Sequence, residues 1–388
     1  MTEHSEGMSD MGMRMSGIMT TEFVSPGHPD KVCDQIADAI VDKALSHDPK
    51  SRVAMEVTGG HYGLVVIGEI TTAEQFDIAK VVKEIYKSIG HNDHDLGVFV
   101  NVVSQASDIA RGVDIGGAGD QGVMTGYAVR NPEGNHMPPV YMMARALTQK
   151  MTDLRCTGTT CLRPDGKSQV VMMDGKVTHV ILAAHHAADI STDDLRQLLL
   201  EQVIRQVVPA TDPVMVNPVL FDQAIYLTDG ISGNVVINGT GAFIQGGFNA
   251  DAGTTGRKLI VDNYGPNVEI GGGCYSGKDP TKVDRSAAYF CRFVAKSIVA
   301  GGLATEALVK VGYAIGVPTP SFVTVQTPLL LEENSKLQAH ILEKFDFRPA
   351  AIIERFGLQR PVGWCYRETA AAGHYTDPKF PWEKTVDI

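Results

Sequence analysis

The sequence predicts an α+β protein, and three observations carry that prediction. Val53, Met55 and Val57 alternate before Gly59-Gly60, and an apolar run returns over 64–70, which reads as a hairpin. Segments 169–173 and 176–183 flank Asp174-Gly175, the strongest short hairpin signal in the chain. Between such pairs apolar residues fall at helical spacing, and hairpins with helices on one face define the class. At 388 residues and 44% apolar the chain can hold two or three domains, at about 100–200 residues each.

In chain order, the first helix follows Gly27-His28-Pro29-Asp30-Lys31 and is marked by Val32, Ile36, Ala37, Ile40, Val41, Ala44 and Leu45. Pro29 suits a first helical turn and biases His28 towards an extended backbone. Phe76, Ala79, Val82, Ile85, Tyr86 and Ile89 repeat the spacing up to Gly90, a C-cap residue. Residues 98–103 read as a buried strand. Ser191 and Asp194 make a capping-box-like start to a helix through Leu195, Leu198, Leu199 and Val203, stopped by Pro209. The last third predicts strand over 257–262, helix over 287–300, and strands over 311–315 and 321–327. Short helices follow near 337–345 and 351–356. The sequence shows no internal repeat.

Three glycine loops carry the chemistry. Gly271-Gly272-Gly273-Cys274-Tyr275-Ser276-Gly277 lets backbone amides approach a ligand closely, and Lys278, Asp279, Lys282 and Asp284 follow at once. Ammonium groups meet phosphate and carboxylates meet Mg²⁺, so the mixture suits a polyanion held with its metal. A helical pattern begins directly afterwards, adding an anion-attracting N-terminus. Gly27–Lys31 presents a donor, a carboxylate and a cation at another helix start. Gly116-Gly117-Ala118-Gly119-Asp120-Gln121-Gly122 adds a carboxylate with close backbone access. None of these has the GxxxxGK[ST] order of a P-loop.

These loops resemble the three signature segments of the S-adenosylmethionine synthetase family. The likeness extends to Gly68-Glu69-Ile70-Thr71-Thr72, Leu162-Arg163-Pro164-Asp165-Gly166-Lys167-Ser168, Thr255-Gly256-Arg257-Lys258, Tyr313-Ala314-Ile315-Gly316 and Pro381-Trp382-Glu383-Lys384. It covers roughly 20–388, in family order. It implies three similar α/β domains about a pseudo-threefold, with segments exchanged between domains. The boundaries it suggests are an extension over 1–17, an N-terminal domain over 18–108, a lid loop over 109–120, a central domain over 121–243 and a C-terminal domain over 244–388. It also implies a dimer, or a dimer of dimers, whose flat sheet faces pack together and whose active sites lie between subunits.

The implied reaction joins the sulfur of L-methionine to C5′ of ATP, expels triphosphate and hydrolyses it to pyrophosphate and phosphate. A thioether carries no proton and is already nucleophilic, so no Ser-His-Asp or Cys-His device is needed, and none is apparent. Carried over position by position, the resemblance makes His28 a phosphate donor and Lys31, Lys167, Arg257, Lys258, Lys278 and Lys282 the cations, with Lys282 also placed near methionine. Asp165, Phe243 and Cys274 become nucleotide contacts. Glu69, Gln105, Asp120 and Lys282 go to methionine, and Asp251 faces the forming sulfonium and the ribose. Asp30 and Asp284 match Mg²⁺ carboxylates, implying two Mg²⁺ per site, while Glu56 matches a K⁺ ligand. Glu22 matches an active-site glutamate.

The chain departs from the family pattern in four places. The loop after Gln105 is shortened before Gly117, Ala242 stands where a basic residue is usual, Cys274-Tyr275 replaces Ala-Phe and alters the adenine side, and 218–240 carries extra material.

A net charge of −11 argues against nucleic-acid binding. The six cysteines form no CxxC pair, which points to reduced thiols. His185-His186, His91 and His94 read as ordinary strand-end and loop residues. Residues 1–17 are polar and methionine-rich without a secretory apolar region, and no run approaches the ~18 apolar residues of a membrane span. The expectation is a soluble cytoplasmic enzyme.

Overall fold

A computed structural model describes residues 17–92, 96–105, 116–208 and 234–388. All but the last residue of the expected extension over 1–17, most of the lid loop and most of the added 218–240 material lie outside the described residues.

Three sheets organise the chain. The first strands and helices are β1 (Ile18–Val24), α1 (Pro29–His47), β2 (Arg52–Gly60), β3 (Gly63–Thr71), α2 (Ile78–Ile89) and β4 (Gly97–Val103). Then come β5 (Gly122–Val129), α3 (Pro139–Cys156), β6 (Leu162–Met173), β7 (Lys176–His186), α4 (Thr192–Leu199), β8 (Asn234–Ile237) and β9 (Gly253–Thr254). The last part holds α5 (Val283–Ala300), β10 (Glu306–Tyr313), β11 (Phe322–Gln326), α6 (Leu331–Lys344), α7 (Pro349–Phe356) and α8 (Tyr366–Ala372). The sheet orders are β4-β3-β2-β9, β1-β6-β7-β8 and β11-β10-β5.

The first two sheets share one plan that the sequence hides. Each has an antiparallel hairpin (β2-β3 or β6-β7), then a helix, then a strand parallel to the hairpin's second member (β4 or β8). A strand from elsewhere in the chain, β9 or β1, adds antiparallel to the hairpin's first member. The third sheet repeats the antiparallel part, with β5 against β10 and β10 against β11. One long helix packs on each sheet: α1 on β2, α3 on β6 and β1, and α5 on β5 and β10. This is the α+β architecture of three sheet-and-helix units.

The three long helices are where apolar burial concentrates. Val32, Ile36, Ile40 and Ala44 of α1 are fully buried, as are Ala287, Cys291, Val294 and Ile298 of α5. Both helices are also buried where they carry charge. Arg285 donates to Asp38 at 2.5 Å with neither side chain exposed, joining α5 to α1. Asp38 also accepts from the backbone N–H of Gly277 at 2.9 Å. This pair sets the Gly271–Gly277 loop against the middle of α1.

Four expectations are corrected. The turn between β2 and β3 is His61-Tyr62, both at positive φ (44° and 69°), and not Gly59-Gly60. Gly59 lies within its strand because a Cβ there would come 2.7 Å from the Phe248 ring. Strand β4 is not buried: Phe99 is 61% and Val103 59% exposed. An apolar run marks an apolar environment, and among the described residues nothing covers this face. Segment 257–262 is no strand; it ends in a helical turn, Leu259–Asp262, following the two-residue β9. Tyr275, expected to alter the adenine side, is 3% exposed, its hydroxyl donating to Asn263 Oδ1 at 2.8 Å.

The Asp174-Gly175 turn has φ of 49° and 79°, as the hairpin signal requires. All six cysteines are free, and among the described residues no helix is long and apolar enough to cross a membrane.

Candidate active site

The start of α1 builds the first cluster. His28 is its N-cap, extended at φ −62°, ψ 139°, and its Nδ1 accepts from the Asp30 N–H at 3.1 Å. An accepting Nδ1 leaves the proton on Nε2, which becomes a donor aimed away from the helix. Burial, then the Lys258 charge, push the His28 pKa down to about 4, so the ring is neutral at physiological pH. Asp30 accepts from Lys258 Nζ at 2.5 Å and from the Thr254 N–H at 2.9 Å, with Arg257 Nε at 3.3 Å. Burial works to raise this carboxyl, but the Lys258 and Thr254 hydrogen bonds and the Lys258 charge hold it below its usual value.

Lys167, opposite Val24 in the β1–β6 register, pairs with Glu22 and contributes a further charge at His28. Asp251 acts on both His28 and Asp165. Burial pushes the Asp165 carboxyl up to about 6 although it accepts from the Gly247 N–H at 2.8 Å. Phe243 lies against the end of β7, its N–H donating to His186 Nε2 at 2.9 Å.

The loop before α5 builds the second cluster. Lys278 Nζ donates to Asp284 at 2.5 Å. Burial lowers this ammonium's affinity for its proton, but Asp284, Cys274 and Asp120 together hold it above the usual lysine range. Burial raises Glu56, opposed by the nearby Lys278 charge. Burial likewise keeps Cys274 a thiol. Glu69 of β3 is registered to Ala54, which bridges to Lys278, and Gln105 follows β4 with its N–H on Thr71 Oγ1 at 3.1 Å. Gly273 exists for this packing: a Cβ there would fall 2.1 Å from the Asp284 carboxyl.

The clusters meet at Gly256, where a Cβ would lie 2.7 Å from Cys274 Cβ and whose N–H donates to Asp34 at 2.8 Å. A cavity of about 650 Å³ runs from Glu22, Gln169, Arg257 and Lys258 to Gly271 and Gly272. The chain therefore presents two adjoining charged clusters and not a single ring of side chains.

Two of the predicted cations do not reach open space. Lys31 is 1% exposed and held between Asp34, at 3.3 Å, and Asp262. Both residues are buried, but consecutive helix residues point about 100° apart, so Asp30 meets Lys258 and Arg257 while Lys31 meets Asp34 and Asp262. Lys31 is thus a buried support beneath the cluster. Lys282 is likewise mostly buried, donating to Asp279 at 2.7 Å, and Asp279 also accepts from the Val53 N–H at 2.7 Å. The carboxylates Asp34, Asp38 and Asp42 were not anticipated, although with Lys31 they recur every three or four residues along α1. A charged stripe within a helix of apolar spacing was the available signal. Asp42 receives the N–H groups of Tyr366 and Arg367 at 2.8 and 2.9 Å, fixing the start of α8.

Neutral donor, exposed guanidinium, paired ammonium groups and carboxylates on glycine-lined backbone form a polyanion-handling site of a multi-unit α+β enzyme. Residues 16–111, 115–243 and 245–384 match the family descriptions "S-adenosylmethionine synthetase" N-terminal, central and C-terminal domain. The chain is 42% identical to a protein of Chlorobium phaeobacteroides (strain DSM 266 / SMG 266 / 2430) named S-adenosylmethionine synthase, over 95% of this chain and 96% of the relative. The chain belongs to the S-adenosylmethionine synthetase family. It is an enzyme, a transferase of the methionine adenosyltransferase type.

Proposed function

We propose that the enzyme joins L-methionine and ATP by in-line attack of sulfur on C5′, then hydrolyses the released triphosphate to pyrophosphate and phosphate. The observation that carries this reading is the His28 ring, its Nδ1 accepting and its Nε2 carrying the proton, near the Lys258 and Lys167 charges, with Arg257 on the adjoining Asp30. Attack separates charge, positive at sulfur and negative at the leaving oxygen. A fixed hydrogen-bond donor and several cations stabilise that developing oxyanion without reorganising. One ammonium ~4 Å from phosphate contributes about 4 kcal/mol at an effective dielectric of 20. Asp251 and Asp120 carry the opposite charge needed near the sulfonium, and Asp165 and Phe243 hold the nucleoside side. Glu69, Gln105 and Lys282 bind methionine, Lys282 through a small swing away from Asp279.

The donor set fits Mg²⁺, which takes one or two carboxylates and completes its shell with water and substrate phosphates. Asp30 and Asp284 would hold it; no cluster of three or more acidic, His or Cys ligands stands among the described residues, in keeping with such shared coordination. When bound, the metal neutralises phosphate charge. Glu56 offers K⁺ a hard oxygen.

The two clusters become one site when a second copy lays its Lys278–Asp284 loop against His28 and Lys258. Exposed apolar residues on the sheet faces, Phe99, Val103 and Ile67 among them, support such a dimer. Mass spectrometry of the protein with ATP, methionine, Mg²⁺ and K⁺ tests the reading. The expected result is a sulfonium product with equal pyrophosphate and phosphate. Phosphate release indifferent to methionine would sink it.

A further inference from the structure

Two histidines outside the predicted site grip the turn that carries its nucleoside side. His91 Nε2 donates to the Gly27 carbonyl at 2.9 Å, one residue before His28. Its ring stacks on Tyr86 at 5.0 Å, and Tyr86 stacks on Phe248 at 5.5 Å. His185 Nε2 donates to the Ile244 carbonyl at 3.0 Å, and its ring lies 5.3 Å from that of Phe243. Between the two rings runs Gly246-Gly247. A Cβ on Gly246 would fall 2.4 Å from His185, and one on Gly247 would fall 2.4 Å from His91. The same turn donates the Gly247 N–H to Asp165 and accepts from the Asp251 N–H at 3.2 Å.

We propose that His91 and His185 are positioning residues for ATP. They clamp Gly246-Gly247 from two sides, so that Phe243, Asp165 and Asp251 hold a fixed distance from His28. His91 is the arm that spans the two ends of the substrate, since it binds the Gly27 carbonyl on the phosphate side and packs on Gly247 on the nucleoside side. His185 acts on the nucleoside end alone, through Ile244 and Phe243. This inference rests on the reaction proposed above.

The test uses the full-length enzyme and compares ATP with added inorganic tripolyphosphate, which lacks a nucleoside. His185→Phe keeps a ring against Gly246 but loses the Ile244 hydrogen bond. It should raise KM for ATP about tenfold, leaving KM for methionine and tripolyphosphate hydrolysis within about twofold. His91→Phe should also lower kcat about tenfold, because Gly27 is released, and His91→Gln, which keeps an N–H donor, should recover at least half of that loss. A role in stability alone predicts that both activities and Tm fall together, and that outcome overturns the proposal. So does a KM for ATP within twofold of wild type in both Phe variants. Where a Phe variant does not fold, the His91→Gln and His185→Gln variants carry the same comparison. If the wild-type enzyme forms no sulfonium product, the reaction assignment fails. Calorimetry with ATP then decides the clamp, and an unchanged Kd in the variants overturns it.

Discussion

At the scale of single residues, the reactive groups follow from short-range rules. Pro29 placed His28 at a helix start from sequence alone, and in the structure its Nδ1 caps that helix by accepting from the Asp30 N–H. That same bond fixes which nitrogen carries the proton. Since its pKa is pushed down to about 4 against an ordinary 6.5, the unfolded chain binds more protons between those values. The contribution of neutral His28 to stability is complete above pH 6.5 and is lost as pH falls towards 4. The kcat/KM profile for ATP should accordingly show no acid limb near 6.5 that disappears in His28→Asn; finding one refutes the assignment. Lys278→Ala should lower kcat by about 10²-fold or more, the usual loss for one oxyanion-stabilising group. Full turnover in that variant would remove Lys278 from the site. The direction in which Lys31 points was not legible, because a motif read along the sequence ignores the 100° step between neighbours on a helix. Only the fold reveals that it faces Asp34 and Asp262.

At the scale of elements, periodicity and punctuation located most helices and hairpins, and failures have identifiable causes. Gly59-Gly60 looked like a turn but serves close approach to Phe248, while His61-Tyr62 accept positive φ in its place. Strand β4 looked buried because its side chains are apolar, yet pattern cannot distinguish a core from a face awaiting a partner. The start of α4 behaved as its sequence indicates, Ser191 Oγ accepting from the Asp194 N–H at 3.1 Å and donating to its carboxylate at 2.7 Å, while Val203 falls in a π-helical turn, Leu200–Ile204, beyond it. Ser191→Ala should cost about 1 kcal/mol, measured by urea unfolding. An unchanged midpoint would mean that the first turn of α4 frays in solution.

At the scale of the whole molecule, buried ion pairs tie remote segments together. Glu383 near the C-terminus receives Arg292 at 2.9 Å and Lys296 at 2.9 Å, with its own side chain fully buried. Burial works to raise this carboxyl, but Arg292 and then Lys296 hold it below its usual 4.5. Its stabilisation is therefore present above pH 4.5 and lost as pH falls through the lower folded value. Glu383→Gln should cost about 3 kcal/mol or more at neutral pH, since Arg292 is left buried with its charge uncompensated. Thermal unfolding at pH 7 checks this, and a Tm equal to wild type would contradict it. Association is the other property of this scale. Phe99→Lys should shift sedimentation from dimer to monomer and abolish turnover together, because each proposed site draws on two chains. Activity retained in a monomer would show that one chain suffices.

The sequence alone determined the chemistry: which residues carry charge next to flexible backbone, which start helices, and which family they resemble. These are local properties, written in a few neighbouring positions. The tertiary structure alone decided which strands pair within each sheet, the burial of Lys31 between Asp34 and Asp262, and the placing of His91 and His185 against Gly246-Gly247. Such relations join residues tens to hundreds of positions apart, and only packing of the closed chain sets the distance between them.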